Sequence, residues 1–525
     1  SRARVRPTAA RPPAVAVIGG GLAGLRAAAV LRAAGARAIV LEADDVVGGR
    51  VRQVASPHDG SVIECGAEFL HGGSASAKAA CDALGLASER CFTAAHGDGG
   101  PDDDAAPDGG VGLYYVGADG ARAVETLPHD TANEGFVALG DALGRLSTLA
   151  VDAADARSLE DYLRDEGVPP RMLRLAAASY SNTVGVGAAL GALPLRQLAD
   201  LEARWMADGE GDFRLAAGGS LASLCAGVLG GGVAGGGSVA GACGVLGGGG
   251  VAGRRGGVPA EAVEVRARWA AVAVEYAPEG VRVEAADGRA LLVDAAVVAV
   301  PVALLRAADG IRFEPPLPSA KRAAIGSIST MGALKVVVQF GRRPHANGLV
   351  LHSMLCAGCA LPELWLKRGA DGASWIVSGF ATGSFADALA AMPHADAVDA
   401  FVWQLAEVLP GNPGLDALQR ALLYAEVFDW ASQPYVRGGY SAPSARELPG
   451  ARSMYRRPEA GGRLVFAGEA TEDAMMTMNA ALDSGARAAR ELVQGPLREA
   501  LAAVSGTDDD ASLKVSEPGG PRARL

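Results

Sequence analysis

Residues 14–50 read AVAVIGGGLAGLRAAAVLRAAGARAIVLEADDVVGGR, and the fold is decided there. Ala14 to Ile18 is a short apolar run, the pattern of a buried strand. Gly19-Gly20-Gly21-Leu22-Ala23-Gly24 follows at once and has the form G-x-G-x-x-G. Leu22 to Ala34 is rich in Ala and Leu, reads as a helix, and is stopped by Gly35. Ala38 to Leu41 is a second strand, which completes a βαβ unit. In this setting Gly19 permits a tight turn and Gly21 lets a pyrophosphate approach the backbone. Gly24 allows close packing of helix on strand, and the helix N-terminus faces the phosphates. Glu42 ends the second strand 23 residues after Gly19, where its carboxylate can accept both ribose hydroxyls. A lone glycine motif in so Gly-rich a chain says little. Strand, helix and acid in register make it a dinucleotide site.

Moving outward, the chain has 525 residues, enough for about three domains of ~150 residues. Half of it is hydrophobic and 20% is charged, as in ordinary globular proteins. The net charge of −11 argues against a nucleic-acid surface, which would be basic, and suits either a cationic ligand or simple solubility. Seven Cys at low density argue against a disulfide framework and for a reducing compartment. Cys356 and Cys359 form one C-x-x-C with no second pair at zinc spacing, so no metal site is expected. The uncharged run 224–253 is too rich in Gly to span a membrane well. Residues 1–13 carry four Arg and no acid, the composition of a transit-peptide remnant or an unstructured arm. The final Ala523-Arg524-Leu525 resembles a peroxisomal address, so the expected location is peroxisomal or cytoplasmic.

Further along, 96–110 is an acidic, Gly/Pro-rich loop, and 158–166 and 171–181 read as helices. Residues 227–257 form a low-complexity Gly-rich insertion expected to be disordered or loosely ordered. Strands are expected over 263–274, 280–285 and 290–300, the last ended by Pro301, and again over 332–340 and 464–466. Helices are expected over 395–409 and 480–493. A nucleotide fingerprint at one end, completed by elements near the other, predicts an α/β fold. Its Rossmann-like domain is assembled from separated segments, with an α+β domain inserted between them.

Gly48-Gly49-Arg50 closes a stretch, Val17 to Arg50, that resembles the N-terminal signature of the flavin-containing amine oxidase family. The resemblance covers most of 14–495 and is nearest in its motifs to polyamine (spermine/spermidine) oxidases. It implies non-covalent FAD rather than NAD, with Gly49 and Arg50 against the pyrophosphate or flavin. "IECGAEFLHG" (63–72) resembles the segment whose backbone, here Gly66, Ala67, Glu68 and Phe69, lines the flavin, and it puts His71 where relatives face the substrate amine. "VVAVPVALL" (297–305) and "IRFEPPLPSAKRAAI" (311–325) match central segments. Lys335 heads the apolar strand "KVVVQF", where a buried ammonium is costly without partners. The resemblance implies that it holds a water at the flavin N5. "WASQPYVRGGYS" (430–441) implies Tyr440 as an aromatic wall, and "RLVFAGEAT" (463–471) implies Glu469 near the pyrophosphate and ribityl chain. "TMNAALDSGARAA" (477–489) resembles the closing helix, with Thr477 and Met478 at the flavin ring.

That last segment departs from the family pattern of Thr-Val-His-Gly-Ala. Met478 and Asn479 replace the usual residues, so the aromatic cage is expected to keep only Tyr440 and a Met wall. No Cys stands in the region to attach the flavin covalently. The implied FAD-binding domain comprises 14–90, 258–312 and 450–495, and the substrate domain 91–226 and 313–449. Residues 1–13 and 496–525 are expected to be disordered tails. The implied reaction oxidises a small cationic amine with O2 as acceptor, with Lys335, His71 and Tyr440 at the reacting centre. An L-amino-acid oxidase would need an Arg for the carboxylate, and none can be assigned. A histone-lysine demethylase would carry a long helical insertion, which 227–257 cannot form. The alternatives are an FAD-dependent oxidase of another amine, an L-amino acid or a methylated lysine, and a flavin-fold protein kept only for binding.

Overall fold

The computed structural model describes residues 11–91, 110–116, 122–127 and 134–505, apart from 153–154, 188, 210, 217–218, 230–232, 235–262 and 346–350. The N-terminal unit folds as read: β1 (Ala14–Ile18), α1 (Leu22–Ala33), β2 (Arg37–Leu41). Four further strands join them: β3 (Val233–Ala234), β4 (Val263–Arg266), β5 (Ala295–Val298) and, from far along the chain, Leu464–Phe466. The sheet order is β3-β4-β2-β1-β5 and then Leu464–Phe466, and every pairing is parallel. Parallel sheets are covered on both faces, and β1 shows it. Val15 and Val17 enter a core shared with α1 and the helix Met478–Gln494; Ala14, Ala16 and Ile18 enter the core on the other side. The class is the expected one, α/β with a parallel sheet completed by separated segments.

A four-stranded sheet covers the second face, ordered Ala290–Val293, Gly280–Ala285, Ala271–Ala277, Arg312–Glu314. Two predicted strands are each divided by it. The 263–274 run breaks at Arg268, whose φ is +54°, and the 290–300 run breaks at Asp294, so each contributes to both sheets. Val233–Ala234, within the Gly-rich insertion, is strand, while 235–257 lies outside the described residues. The 96–109 loop and the terminal Ala523-Arg524-Leu525 lie outside them as well.

The expectation of a disordered tail from 496 is corrected. Arg498–Ser505 is a helix, and Leu497 and Leu501 are buried in the core beside α1. Leu497 and Leu501 stand four apart, the spacing of one helix face. The helix Leu221–Val228 likewise packs Leu221, Ala222, Leu224 and Cys225 into that core, although the sequence groups 91–226 with the substrate region.

The second large sheet has seven strands, in the order Leu422–Asp429, β6 (Ala333–Phe340), β8 (Trp375–Thr382), β7 (Glu363–Arg368), Leu351–Cys356, Gly110–Val116, Arg122–Leu127. On β6, Leu334, Val336, Val338 and Phe340 face a core roofed by the helices Gly383–Ala390, His394–Val408 and Leu415–Ala421. Period-two alternation turns Ala333, Lys335, Val337 and Gln339 to the opposite face. That face looks toward the parallel sheet, and the cavity lies between them.

Candidate active site

A continuous cavity of about 850 Å³ runs from the glycine turn to the Lys335 face of β6. At its first end the turn is tight by construction. Gly19 has φ +101°, and a Cβ there would sit 2.8 Å from the Ala299 carbonyl. A Cβ on Gly24 would lie 2.0 Å from the Gly19 carbonyl. Gly24 does not line the cavity; its part is the close approach of helix to turn. Gly21 opens α1 and lines the cavity, and a Cβ there would meet nothing nearer than the Gly48 carbonyl at 4.0 Å. Glu42 is buried, and its carboxylate accepts the N–H groups of Gly20 (2.7 Å) and Asp44 (2.9 Å). Burial raises its pKa against those two bonds.

In the middle, Arg50 Nη1 donates to Glu469 Oε1 at 2.9 Å and to the Gly439 carbonyl at 2.8 Å. Glu469 also accepts from the Ser441 hydroxyl (2.6 Å) and the N–H groups of Ser441 and Met476 (3.1 Å each). Burial alone would push its carboxyl up; Arg50, the Ser441 bonds and the buried Arg452 overcome it and hold it below the usual value. Gly49, Gly66, Ala67, Thr477 and Met478 line the same stretch. The Thr477 hydroxyl accepts the Ala480 N–H and caps the helix Met478–Gln494, hereafter α2, whose N-terminus therefore borders the cavity.

At the far end the sheet register sets the site. Phe428, Lys335, Phe380 and Glu363 pair in sequence across four neighbouring strands, so all four side chains share one face, and all line the cavity. Lys335 Nζ donates to Glu68 Oε2 (2.9 Å) and the Glu64 carbonyl (3.0 Å) and lies 5.0 Å from the centre of the Trp365 ring. Phe69 packs edge-on to Trp365 at 5.1 Å, and Phe380 stands 6.0 Å from it. Glu363 accepts the Thr183 hydroxyl at 2.7 Å, and burial pushes its pKa up to about 8. His71 opens into the cavity, and its Nδ1 lies 2.6 Å from Asp212, the residue opposite it in the antiparallel pair. Burial would lower the His71 pKa; Asp212, helped by Glu363, raises it instead. Tyr440 donates its hydroxyl to the Thr183 carbonyl at 2.5 Å, and its ring packs on Gly185. Its pKa is raised by burial.

Except for Gly24, every residue singled out in the sequence therefore meets at one cavity. Asp212, Glu363, Trp365 and the buried Tyr180–Glu202 pair (2.5 Å) also line it and were not anticipated. Their partners are distant in sequence, so no local motif marks them. The cage is also richer than Tyr440 and a Met. Trp365, Phe380, Phe428 and Trp430 supply aromatic wall. Asn479 also borders the cavity but adds no aromatic surface to it. It donates to the His71 carbonyl (3.0 Å) and Asp208 (3.2 Å) and accepts the Ala77 N–H (3.1 Å). Among the described residues no cluster of His, Cys, Asp or Glu could hold a metal, and no helix is long and apolar enough to cross a membrane.

The family profile for flavin containing amine oxidoreductases matches residues 22–493. The chain belongs to that family. FAD is its cofactor, and the residues present fit it. The glycine turn and the side-chain-free space at Gly21 suit a pyrophosphate, and a Cβ on Gly468 would likewise meet nothing within 4 Å. Among family members, polyamine oxidase 4 of rice is 27% identical over 49% of this chain and 50% of its own length. The human peroxisomal N(1)-acetyl-spermine/spermidine oxidase is 29% identical over 41% and 45%. The chain thus spans about half the length of the curated relatives it matches. Its fold is that of putrescine oxidase bound to putrescine (TM-score 0.69, 17% identity, 92% of this chain and 99% of the other). Cyclohexylamine oxidase from Brevibacterium oxydans superposes with a TM-score of 0.69 at 18% identity, over the same shares of both chains.

Proposed function

We propose that this chain oxidises a polyamine at a carbon next to a secondary amine, giving an imine that water hydrolyses to an aldehyde and an amine, with O2 reduced to hydrogen peroxide. The observation that carries the reading is the acidic, aromatic end of the cavity, where Glu363, the His71–Asp212 pair and Tyr180–Glu202 line one chamber with Tyr440, Phe380 and Trp365. Buried carboxylates beside aromatic faces suit a cation carried on methylene chains. When bound, FAD supplies the two-electron acceptor. Glu363 holds and orients an ammonium group, and Tyr440, fixed by Thr183, presents a flat wall to the chain. Lys335 places a charged N–H donor on the sheet face of the cavity.

The cavity's arginines support an amine over an amino acid. Arg50, Arg52, Arg214 and Arg437 are paired with Glu469, Asp44, Glu89 and Asp309 at 2.6 to 2.9 Å. Among the described residues, no cavity arginine without a carboxylate partner remains to clamp a substrate carboxylate. The names of the rice and human relatives point the same way. The test is anaerobic bleaching of the oxidised-flavin absorbance by spermine, spermidine, acetylated spermine, a monoamine and an L-amino acid in parallel. Rapid bleaching by polyamines alone is expected. No bleaching with FAD bound would sink the reading and leave a flavin-fold binding protein.

A further inference from the structure

The Lys335 ammonium has three N–H donors. The protein uses two, on the Glu64 carbonyl and on Glu68 Oε2, which leaves the third for the cavity that Lys335 lines. The other Glu68 oxygen lies 3.6 Å from the Lys367 ammonium. The Glu68 and Lys335 side chains are 5% and 4% exposed, and Lys367, at 22%, closes the arrangement from outside. One buried carboxylate thus stands between two ammonium groups, and the three charges sum to +1.

We propose that Glu68 is a positioning residue that keeps Lys335 cationic and directs its remaining N–H into the cavity, with Lys367 occupying the carboxylate's other oxygen. The proposal rests on the reading above, in which Lys335 presents an N–H donor to the cavity where the amine is oxidised. A buried lysine without a counter-ion sheds its proton, because burial disfavours the charged form. Glu68 can supply that counter-ion at any working pH. Burial pushes its carboxyl up, but Lys335 and Lys367 together bring it down to about 2. None of the other side chains facing Lys335 among the described residues accepts its N–H. Phe380 and Phe428 on the adjoining strands are uncharged. Burial pushes the Cys65 thiol up to about 12 and the Glu64 carboxyl up to about 7, and Glu64 Oε1 accepts the Leu221 N–H rather than Lys335. Glu426, on the strand beside β6, accepts the Tyr424 hydroxyl. Among the described residues Glu68 is the carboxylate hydrogen-bonded to Lys335.

The test is pulse acylation of the holoenzyme with acetic anhydride over a pH series, with Lys335 followed by peptide mapping. Glu68→Gln should lower the pH midpoint for Lys335 acylation by at least about one unit, since loss of a counter-ion at a buried amine commonly shifts it that far. Glu68→Asp should restore most of the midpoint. Lys367→Met should raise it, because a like charge is removed and Glu68 then serves Lys335 alone. In parallel, the rate of flavin reoxidation in Glu68→Gln should fall with rising pH through the lowered midpoint. An unchanged midpoint in Glu68→Gln, with rates reduced equally at every pH, overturns the proposal and leaves Glu68 a merely structural residue. If that variant does not fold, an unchanged midpoint in Lys367→Met overturns it equally. Acylation needs no substrate, so a failure of amines to bleach the flavin would sink the function proposed above without deciding this one.

Discussion

Glu363 keeps its proton to about pH 8 because burial outweighs its bond from Thr183. A cationic ligand reverses that balance, since it favours the carboxylate. Binding of a polyamine between pH 6.5 and 7.5 or so should therefore release a proton to the medium, whatever chemistry follows. Calorimetry of the ligand in buffers of different ionisation enthalpy measures this, and a heat independent of buffer would remove Glu363 from the binding site. His71 makes a prediction of opposite kind. Its folded pKa is raised, so its pairing with Asp212 contributes stability that is present in full below the ordinary value of about 6.5 and is lost as pH rises through the folded value. The melting-temperature gap between wild type and Asp212→Asn should be widest on the mildly acidic side and narrow toward alkaline pH; a gap that is flat with pH excludes the pairing. For Lys335, replacement by Met should slow flavin reduction or reoxidation at least about tenfold, about 1.4 kcal/mol of barrier, with FAD still bound. Normal turnover would take Lys335 out of the mechanism.

The legibility of the site followed the distance between partners. His71, Lys335, Tyr440 and Glu469 each stand in a motif that can be read along the chain. Asp212 and Glu363 acquire their meaning only from strand register, one opposite His71 and the other in a row with Lys335. The Asn479 substitution was legible as a departure, but its consequence was not, because its partners are at Ala77, His71 and Asp208. Elements show the same rule. The βαβ unit and the strand Leu464–Phe466 were placed nearly to the residue, whereas two long strands were divided between sheets by turns at Arg268 and Asp294. At this scale the closing helix α2 makes its own prediction. A Cβ on Gly485 would lie 2.1 Å from the Ala23 carbonyl, where α2 crosses α1. Gly485→Ala should push the two helices apart and reduce the FAD retained on dialysis. Asn479→Ala breaks three hydrogen bonds and should cost about 2 kcal/mol of stability in denaturant unfolding.

At the scale of the whole molecule, two sheets facing each other across one cavity divide the labour. The parallel sheet brings the glycine turn, Glu42 and the start of α1; the seven-stranded sheet brings Lys335, Phe380 and Glu363. The chain crosses between them several times, which is why composition and periodicity predicted the fold class more readily than the limits of each segment. The parallel sheet also has a consequence in time. β1 pairs with β5, some 280 residues later, and β5 pairs with Leu464–Phe466. A ribosome releasing the N-terminal strand must therefore synthesise most of the remaining chain before the sheet can close. A nascent chain halted short of residue 464 carries an intact glycine motif but lacks Gly468, Glu469, Thr477 and Met478, and with them one wall of the cavity.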